Sequence, residues 1–162
     1  MRSSGWAQDA VDFVAARGIF SGTSDSAFSP NSNLTRAQLI VALANYDGVD
    51  ISGGSTWYEK GVAWAGDRGV SDGSAPDSDI TREQLVTMIW HYAGSPSAQG
   101  GSGLFQFDDG GSVSGYARQA LDWAIENGLI NGMGDGSIAP QGTATRAQAA
   151  VIIRAFVEKQ IK

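Results

Sequence analysis

Three arginines occupy the same four-residue motif, and their position makes each a candidate for binding an anion. The motif Thr-Arg-x-Gln contains Arg36, Arg82 and Arg146. Its Thr and Gln match a capping box, in which the Thr hydroxyl and the Gln side chain cap the first turn of a helix. The arginine then lies at the positive end of the helix dipole, where a cation is mildly unfavourable. Capping therefore explains the Thr and the Gln but leaves the arginine unexplained.

Two interpretations of these arginines remain open at this point. A guanidinium beside exposed helix-start amides is a good receptor for a planar anion such as a carboxylate or a phosphate. The structural alternative is an ion pair between each arginine and a carboxylate of a neighbouring copy of the motif.

Aromatic residues provide a second set of candidate ligand contacts. Trp6, Trp57 and Tyr116 lie at equivalent positions, each twelve residues before a glycine that recurs with the motif. Sugar rings stack on aromatic faces because their C–H edges are apolar, while their hydroxyls still require hydrogen bonds. An aromatic ring and an arginine in each copy are a suitable combination for an acidic glycan. Packing where the copies join is the alternative.

The sequence offers little support for catalysis or for a metal. Cysteine is absent, and the one histidine, His91, lies within a predicted helix. No pair of carboxylates recurs at a spacing typical of an acid/base dyad. The run Asp77-Ser78-Asp79 lacks the later ligands of an EF-hand. We predict no catalytic residue, no metal site and no cofactor.

Charge and hydropathy exclude two further classes of partner. The net charge is −6, with 11 Lys and Arg residues in 162, which argues against a nucleic-acid surface. No apolar run approaches the roughly 20 residues needed to span a bilayer. The N-terminal Met-Arg-Ser-Ser-Gly-Trp lacks an apolar segment, so no signal peptide is predicted in it.

The arginine motif belongs to a longer pattern that occurs three times. A proline lies six residues before each arginine, and an aromatic residue lies ten residues after it. A helix-ending glycine comes earlier, with an aromatic residue five positions before it. In chain order the four sets are Pro30, Pro76 and Pro140; Tyr46, Tyr92 and Phe156; Gly18, Gly69 and Gly128; and Phe13, Trp64 and Trp123. Each copy therefore predicts a first helix, a glycine stop, a loop, and a capped second helix with one apolar face.

One copy is too small to bury its own apolar face, so the three copies are expected to share a core. The predicted fold is all-α, with three tandem helix-loop-helix repeats packed into one pseudo-threefold domain. Repeat 1 spans 1–50, and repeat 2 spans 51–96 with a shortened loop. A Gly/Ser linker spans 97–103, and repeat 3 spans 104–162. In repeat 2 the glycine and the proline are 7 residues apart instead of 12.

This combined pattern resembles the S-layer homology domain. The third copy matches best, through Gly128-Leu129-Ile130-Asn131-Gly132, Asp135-Gly136, Pro140 and Thr145-Arg146-Ala147-Gln148. The resemblance covers nearly the whole chain. It implies an extracellular location at the bacterial cell wall or S-layer, as part of a larger surface protein. It also implies non-covalent binding of a secondary cell-wall polysaccharide, often pyruvylated, or of another acidic wall glycan.

The resemblance also implies which residues form the binding grooves. The motif arginine is expected to act with aromatic, Asp and Gly neighbours. On this chain the set is Arg36, Arg82, Arg146, Trp6, Trp57, Tyr116, Asp135 and Gly136. Because copy three is the most complete, Arg146 is expected in the working groove. Gln replaces the family's usual Glu in all three motifs, which preserves the capping role. A protein–protein or self-assembly module of the same fold, without glycan binding, remains the alternative.

Overall fold

The computed structural model describes residues 32–50, 58–71, 75–96, 107–130 and 138–159, and these residues form a helical fold. Five α-helices lie in them: α1 (Arg36–Asp47), α2 (Glu59–Arg68), α3 (Arg82–Tyr92), α4 (Arg118–Glu126) and α5 (Arg146–Lys159). Short 3₁₀ turns at Gly110–Ser112 and Gly115–Ala117 precede α4. Isolated β-bridges occur, but no strand forms in these ranges. The all-α prediction is confirmed.

Helices α1, α3 and α5 are the second helices of the three copies, and each begins directly after the motif threonine. At α1, the Gln38 amide donates to Thr35 Oγ1 at 3.2 Å, and the Thr35 amide donates to Gln38 Oε1 at 2.9 Å. The same reciprocal pairs form between Thr81 and Gln84 and between Thr145 and Gln148. The predicted capping role of Thr and Gln is therefore confirmed in all three motifs.

The segments before these helices hold one another in a closed ring of backbone hydrogen bonds. The Leu34 amide donates to the Ala144 carbonyl at 2.9 Å, and the Ala144 amide donates to the Ile80 carbonyl at 2.9 Å. The Ile80 amide closes the ring on the Leu34 carbonyl at 2.8 Å. All three side chains are fully buried. Each copy thus depends on both of the others for its backbone pairing.

Each helix start is also capped by the loop of the next copy. The Arg36 amide donates to the Ser78 carbonyl at 3.0 Å, and the Ala37 amide donates to the Pro76 carbonyl at 2.9 Å. Equivalent bonds run from Arg82 to Gly142, from Glu83 to Pro140 and from Arg146 to Ser32. Pro76 and Pro140 therefore each supply a carbonyl to a neighbouring helix, and because proline has no N–H of its own it adds no unsatisfied donor there.

The opposite ends of the second helices meet in an aromatic triangle. The ring centroids of Tyr46, Tyr92 and Phe156 are 6.1 to 6.3 Å apart, and each pair is oriented edge to face. These are the aromatic residues ten positions after each motif arginine. The second helices therefore meet at both ends through equivalent residues. The pseudo-threefold arrangement of complete helix pairs stays a prediction, since the first helix of copy one lies outside the described residues.

A single hydrophobic cluster contains residues from all three copies, for example Leu43, Leu85 and Ile153. Helix α2 packs on α1, and α4 packs on α3, so each of these first helices lies against the second helix of the preceding copy. At Gly61 in α2 a Cβ would be in ordinary van der Waals contact with the side chain of Ile40, at 3.5 Å. The prediction of a shared core is confirmed for the described residues.

The predicted helix-ending glycines and core aromatic residues are confirmed where the structure describes them. Gly69 and Gly128 both have φ of 73°, in the left-handed region that favours glycine. Trp123 is buried, and Trp64 is partly buried against the core. Gly18, Phe13 and the 97–103 linker lie outside the described residues, and the repeat boundaries remain predictions.

Candidate functional site

A groove forms where residues from all three copies meet. It comprises two cavities of about 480 and 470 Å³ that share Arg36 at the start of α1, Gln84 in α3 and Tyr116 before α4. The sequence-predicted pair of arginine and aromatic residue is thus brought together here, although Arg36 belongs to copy one and Tyr116 to copy three. Sequence spacing within one copy does not reveal this pairing.

One wall of the groove is a stripe along α3. It consists of Gln84, Thr87, Met88 and His91, whose spacing of three, four and seven residues places them on one helix face. At 1.5 Å per residue the stripe is about 10 Å long. Gly66 near the end of α2 and the residues after the helix, Gly69, Val70 and Ser71, also line this cavity. The groove therefore has polar groups at both ends and the apolar Met88 between them.

The three motif arginines differ in exposure. Arg36 is half-buried and lines both cavities. Arg82 and Arg146 are only 5% and 2% exposed. Burial lowers the pKa of both, and at Arg82 the negative charge of Asp109 opposes that effect. Of the three, Arg36 is the one that lines the cavities formed by the residues that the structure describes.

Arg82 has an internal partner in copy three. Its Nε donates to the Ile138 carbonyl at 2.8 Å. Both carboxylate oxygens of Asp109 accept backbone amides at 2.9 Å, from Ile138 and from Ala139. The structural alternative was an ion pair between each motif arginine and a carboxylate of a neighbouring copy. Arg82 does bond the neighbouring copy, but its guanidinium donates to a backbone carbonyl. The carboxylate of Asp109 orders the loop that contains this carbonyl.

Tyr116 is 56% exposed, and its ring faces the groove. Its hydroxyl donates to Glu83 Oε2 at 3.0 Å. Partial burial of the hydroxyl raises the pKa of Tyr116, and the hydrogen bond to Glu83 raises it further. A hydrogen bond from the Gln84 side chain acts in the opposite direction. The hydrogen bond to Glu83 therefore holds this hydroxyl in place.

Sequence reasoning missed Glu83 as a site residue. It is 3% exposed, and it lies at the variable position of the second motif, where the other two motifs have Ala37 and Ala147. That difference was the available signal, because a charged residue directly after a helix-start arginine, in only one of three copies, requires a partner.

One sequence-based expectation is wrong. The helix-start amides beside the motif arginines are not exposed for an anion. At α1 the amides of Arg36 and Ala37 donate to carbonyls of copy two, and the Gln38 amide donates to Thr35. A ligand would meet the guanidinium side chain and not the helix-start amides, because the neighbouring copies and the capping box use those donors.

The remaining predicted site residues, Trp6, Trp57, Asp135 and Gly136, lie outside the described residues. Within the ranges that the structure describes, no group of three or more His, Asp or Glu side chains is arranged to hold a metal ion. In the same part of the chain, no helix has both the length and the apolar character to span a membrane.

The groove combines several groups that suit an acidic sugar. Arg36 provides a fixed positive charge, Tyr116 an exposed aromatic face, and Gln84 an amide. A guanidinium pairs with a carboxylate through two parallel hydrogen bonds. The ring offers an apolar surface whose hydroxyl is already bonded to the protein. The arrangement is chemically suited to charge pairing together with stacking.

Comparison with known proteins gives consistent results. A family model described as the S-layer homology domain matches residues 1–40 and 106–150. The chain is 32% identical, over 95% of its length, to an amylopullulanase of Thermoanaerobacterium thermosulfurigenes, of which the match covers 9%. Exoglucanase XynX of Acetivibrio thermocellus is also 32% identical over 95% of the chain and 16% of its own length. A surface-layer 125 kDa protein of Lysinibacillus sphaericus is 24% identical over 96% of the chain and 14% of its own length.

A solved structure shares the fold. An undecaheme cytochrome from the S-layer of Carboxydothermus ferrireducens aligns with a TM-score of 0.50 at 18% identity. The alignment covers 78% of this chain and 18% of the cytochrome chain. In every one of these proteins the chain matches less than one fifth of the length.

Proposed function

This chain belongs to the S-layer homology domain family, and from that premise we propose that it anchors a larger surface protein by binding an acidic cell-wall polysaccharide non-covalently. Family membership places the chain outside the cell, at the cell wall or S-layer, as a non-catalytic anchoring module. The polysaccharide, its acidic groups and the residues that contact it are the proposed part. A secondary cell-wall polymer with pyruvyl groups is the ligand that fits best.

The observation that carries the proposal is the meeting of Arg36, Gln84 and Tyr116 in one open groove. A pyruvyl substituent presents a planar carboxylate that a guanidinium can bind through two hydrogen bonds. The sugar that carries it has an apolar C–H face, which an exposed aromatic ring can cover. Charge and stacking thus act on adjacent parts of the same sugar unit.

Among the motif arginines, Arg36 is the preferred ligand contact. Its side chain lines both cavities, whereas Arg82 and Arg146 expose 5% and 2% of their surface. A buried guanidinium would require rearrangement of its neighbours before it met a polymer. The sequence-based preference for Arg146 rested on the completeness of its motif, and Arg146→Ala in the following titration tests it.

The test is calorimetric titration of the protein with a pyruvylated wall fragment. A charge-assisted contact contributes about 1.5–3 kcal/mol, so Arg36→Ala should weaken binding more than tenfold. Arg36→Lys should recover only part of the loss, since Lys cannot make the two-point contact. Arg154→Ala, which removes a surface arginine of α5 paired with Glu158, is the matched control and should bind like the wild type.

A sedimentation assay with purified wall sacculi complements the titration. The protein should sediment with intact sacculi and stay in solution when the secondary polymer has been stripped. Equal sedimentation in both cases would contradict the proposed ligand and favour a different wall polymer. Binding of the wild type to neither sacculi nor fragment would contradict the proposal and favour a protein–protein or self-assembly module.

A further inference from the structure

Glu83 lies behind the groove, and its carboxylate organises the segment that leads copy three into α4. Oε1 accepts from the Ser114 amide at 3.0 Å and from Gln141 Nε2 at 3.2 Å. Oε2 accepts from Ser114 Oγ at 2.6 Å and from the Tyr116 hydroxyl at 3.0 Å. Four donors on two oxygens satisfy a carboxylate that is 3% exposed.

These hydrogen bonds restrict a side chain that would otherwise have considerable freedom. Tyr116 lies on the short 3₁₀ turn Gly115–Ala117, and more than half of its surface is exposed. When a ligand must order an exposed aromatic side chain, the affinity for the ligand is lower, because the side chain loses rotational freedom on binding. A hydroxyl already bonded to a buried carboxylate removes most of that cost before the ligand arrives.

We propose that Glu83 is the positioning residue of the groove, holding the Tyr116 ring beside Arg36 so that one acidic sugar can be stacked and charge-paired together. This inference rests on the proposed function, since it assigns a role within the same binding site. The equivalent positions in the other motifs are Ala37 and Ala147, so the carboxylate distinguishes the second motif from both. Glu83 does not face the ligand and acts through Tyr116.

The first test is a mutant cycle in the same titration with a pyruvylated wall fragment. Glu83→Gln and Tyr116→Phe should each weaken binding by about three- to tenfold, the range expected for one lost hydrogen bond. Tyr116→Phe removes the hydroxyl through which Glu83 acts, so adding Glu83→Gln to Tyr116→Phe should weaken binding no further. Multiplication of the two losses would overturn the positioning role.

Glu83→Gln is preferred to Glu83→Ala because it keeps the volume of the side chain and one acceptor oxygen. Circular dichroism of each variant shows whether it is folded at the titration temperature. Glu83→Ala is expected to lose more binding than Glu83→Gln, so partial rescue by the amide is part of the prediction. Identical binding by wild type and Glu83→Gln would overturn the proposal.

A second test needs no ligand. Spectrophotometric titration of the tyrosines follows ionisation of the phenols, and the difference between wild type and Tyr116→Phe isolates Tyr116. In Glu83→Gln this component should move to lower pH, because a neutral amide no longer disfavours the phenolate. An unmoved component would overturn the positioning role. Failure of the wild type to bind the wall fragment would refute the proposed function, whereas this titration separately decides whether Glu83 holds Tyr116.

Discussion

The Nε of Arg82 donates a 2.8 Å hydrogen bond to the carbonyl of Ile138, and this contact joins the second helix of copy two to the loop of copy three. The guanidinium is buried, and the negative charge of Asp109 stabilises its positive charge. A motif residue that looks like a ligand contact in the sequence is therefore part of the internal structure. Arg36, at the same motif position, lines an open groove.

Replacement of Arg82 should reduce stability. Arg82→Ala removes the donor to the buried Ile138 carbonyl and leaves a cavity, so we expect a loss of about 2–4 kcal/mol in the free energy of unfolding. Arg154→Ala, at an exposed i,i+4 ion pair of 3.2 Å with Glu158, should cost less than about 0.5 kcal/mol. Urea denaturation followed by circular dichroism measures both. Equal losses would contradict a structural role for Arg82.

The capping threonines give a second stability prediction. Thr81→Ala removes the acceptor for the Gln84 amide, which now lies at 3.2 Å from the hydroxyl. The expected loss is about 0.5–2 kcal/mol. Thr81→Ser keeps the hydroxyl and should restore most of the stability. Thermal unfolding of the two variants tests the difference, and an equal decrease in both would show that the hydroxyl is not responsible.

The sequence was sufficient for features that depend on local spacing. Thr81 and Gln84 are three residues apart, so the capping box follows from helix geometry alone. Gly69 could be predicted to end a helix because it directly follows a short helical run. A recurring apolar stripe on units too small to fold alone likewise predicts a shared core. These inferences need no knowledge of which copy lies beside which.

The candidate site could be predicted only in part, because it depends on which copies meet. Arg36 and Tyr116 are 80 positions apart in the sequence and approach only through the packing of three copies. Identical motif positions then acquire different surroundings, so that Arg82 contacts Ile138 while Arg36 lines a groove. The pairing of Glu83 with Tyr116 is equally non-local, and no spacing within one motif predicts it.

Gln84 provides a direct test of the amide at this motif position. Its Oε1 accepts from the Thr81 amide at 3.0 Å, and its side chain lies near the Tyr116 hydroxyl, whose pKa it lowers. Gln84→Glu keeps the acceptor but loses the donor and places a second carboxylate near Glu83. We expect weaker binding of an acidic fragment and a loss of about 1 kcal/mol in stability.

Gln148→Glu is the matched control for Gln84→Glu. Gln148 caps Thr145 with the same geometry, at 3.0 and 3.1 Å. A carboxylate at this place in the first turn interacts favourably with the helix dipole, by about 0.3–1 kcal/mol. Gln148→Glu should therefore leave stability unchanged or raise it. Thermal unfolding measures both variants. A comparable loss of stability in Gln84→Glu and Gln148→Glu would show that the loss in Gln84→Glu does not arise from its neighbour Tyr116.

Ala139 has a backbone conformation that favours glycine. Its φ is 48°, and Ala75, which also precedes a proline of the repeat, has φ of 46°. An alanine in the left-handed region costs roughly 1–2 kcal/mol of stability. Glycine avoids this cost but loses about 0.5–1 kcal/mol, because it has more conformational freedom in the unfolded chain. Ala139→Gly should therefore raise stability by about 0.5–1 kcal/mol.

The control for Ala139→Gly is the same chemical change in a helix. Ala63 is exposed in α2, where glycine should cost about 1 kcal/mol relative to alanine. The two substitutions should thus shift the unfolding midpoint in opposite directions. A decrease for both would show that the loop before Pro140 gains nothing from glycine.

Tyr92 links the aromatic triangle to a pair of charges, which makes stability sensitive to alkaline pH. Its hydroxyl donates to Asp47 Oδ1 at 2.7 Å, and Arg68 Nη1 binds Asp47 Oδ2 at 3.0 Å. The Arg68 guanidinium also lies 5.3 Å from the Tyr92 ring centroid. Burial raises the pKa of Tyr92, and the hydrogen bond and charge of Asp47 raise it further, while Arg68 opposes them.

The direction of the pH effect follows from this raised pKa. In the unfolded chain a tyrosine ionises near pH 10, whereas folded Tyr92 keeps its proton to higher pH. Its contribution to stability is therefore fully present below about pH 10 and is lost as the pH rises above it. Tyr92→Phe should be less stable at pH 7 by about 1 kcal/mol, because the bond to Asp47 is gone. Above pH 10 its free energy of unfolding should fall less steeply than that of the wild type. Urea denaturation between pH 7 and 11 measures both slopes, with Tyr58→Phe as the control for loss of one phenol, and parallel curves for wild type and Tyr92→Phe would contradict the assignment.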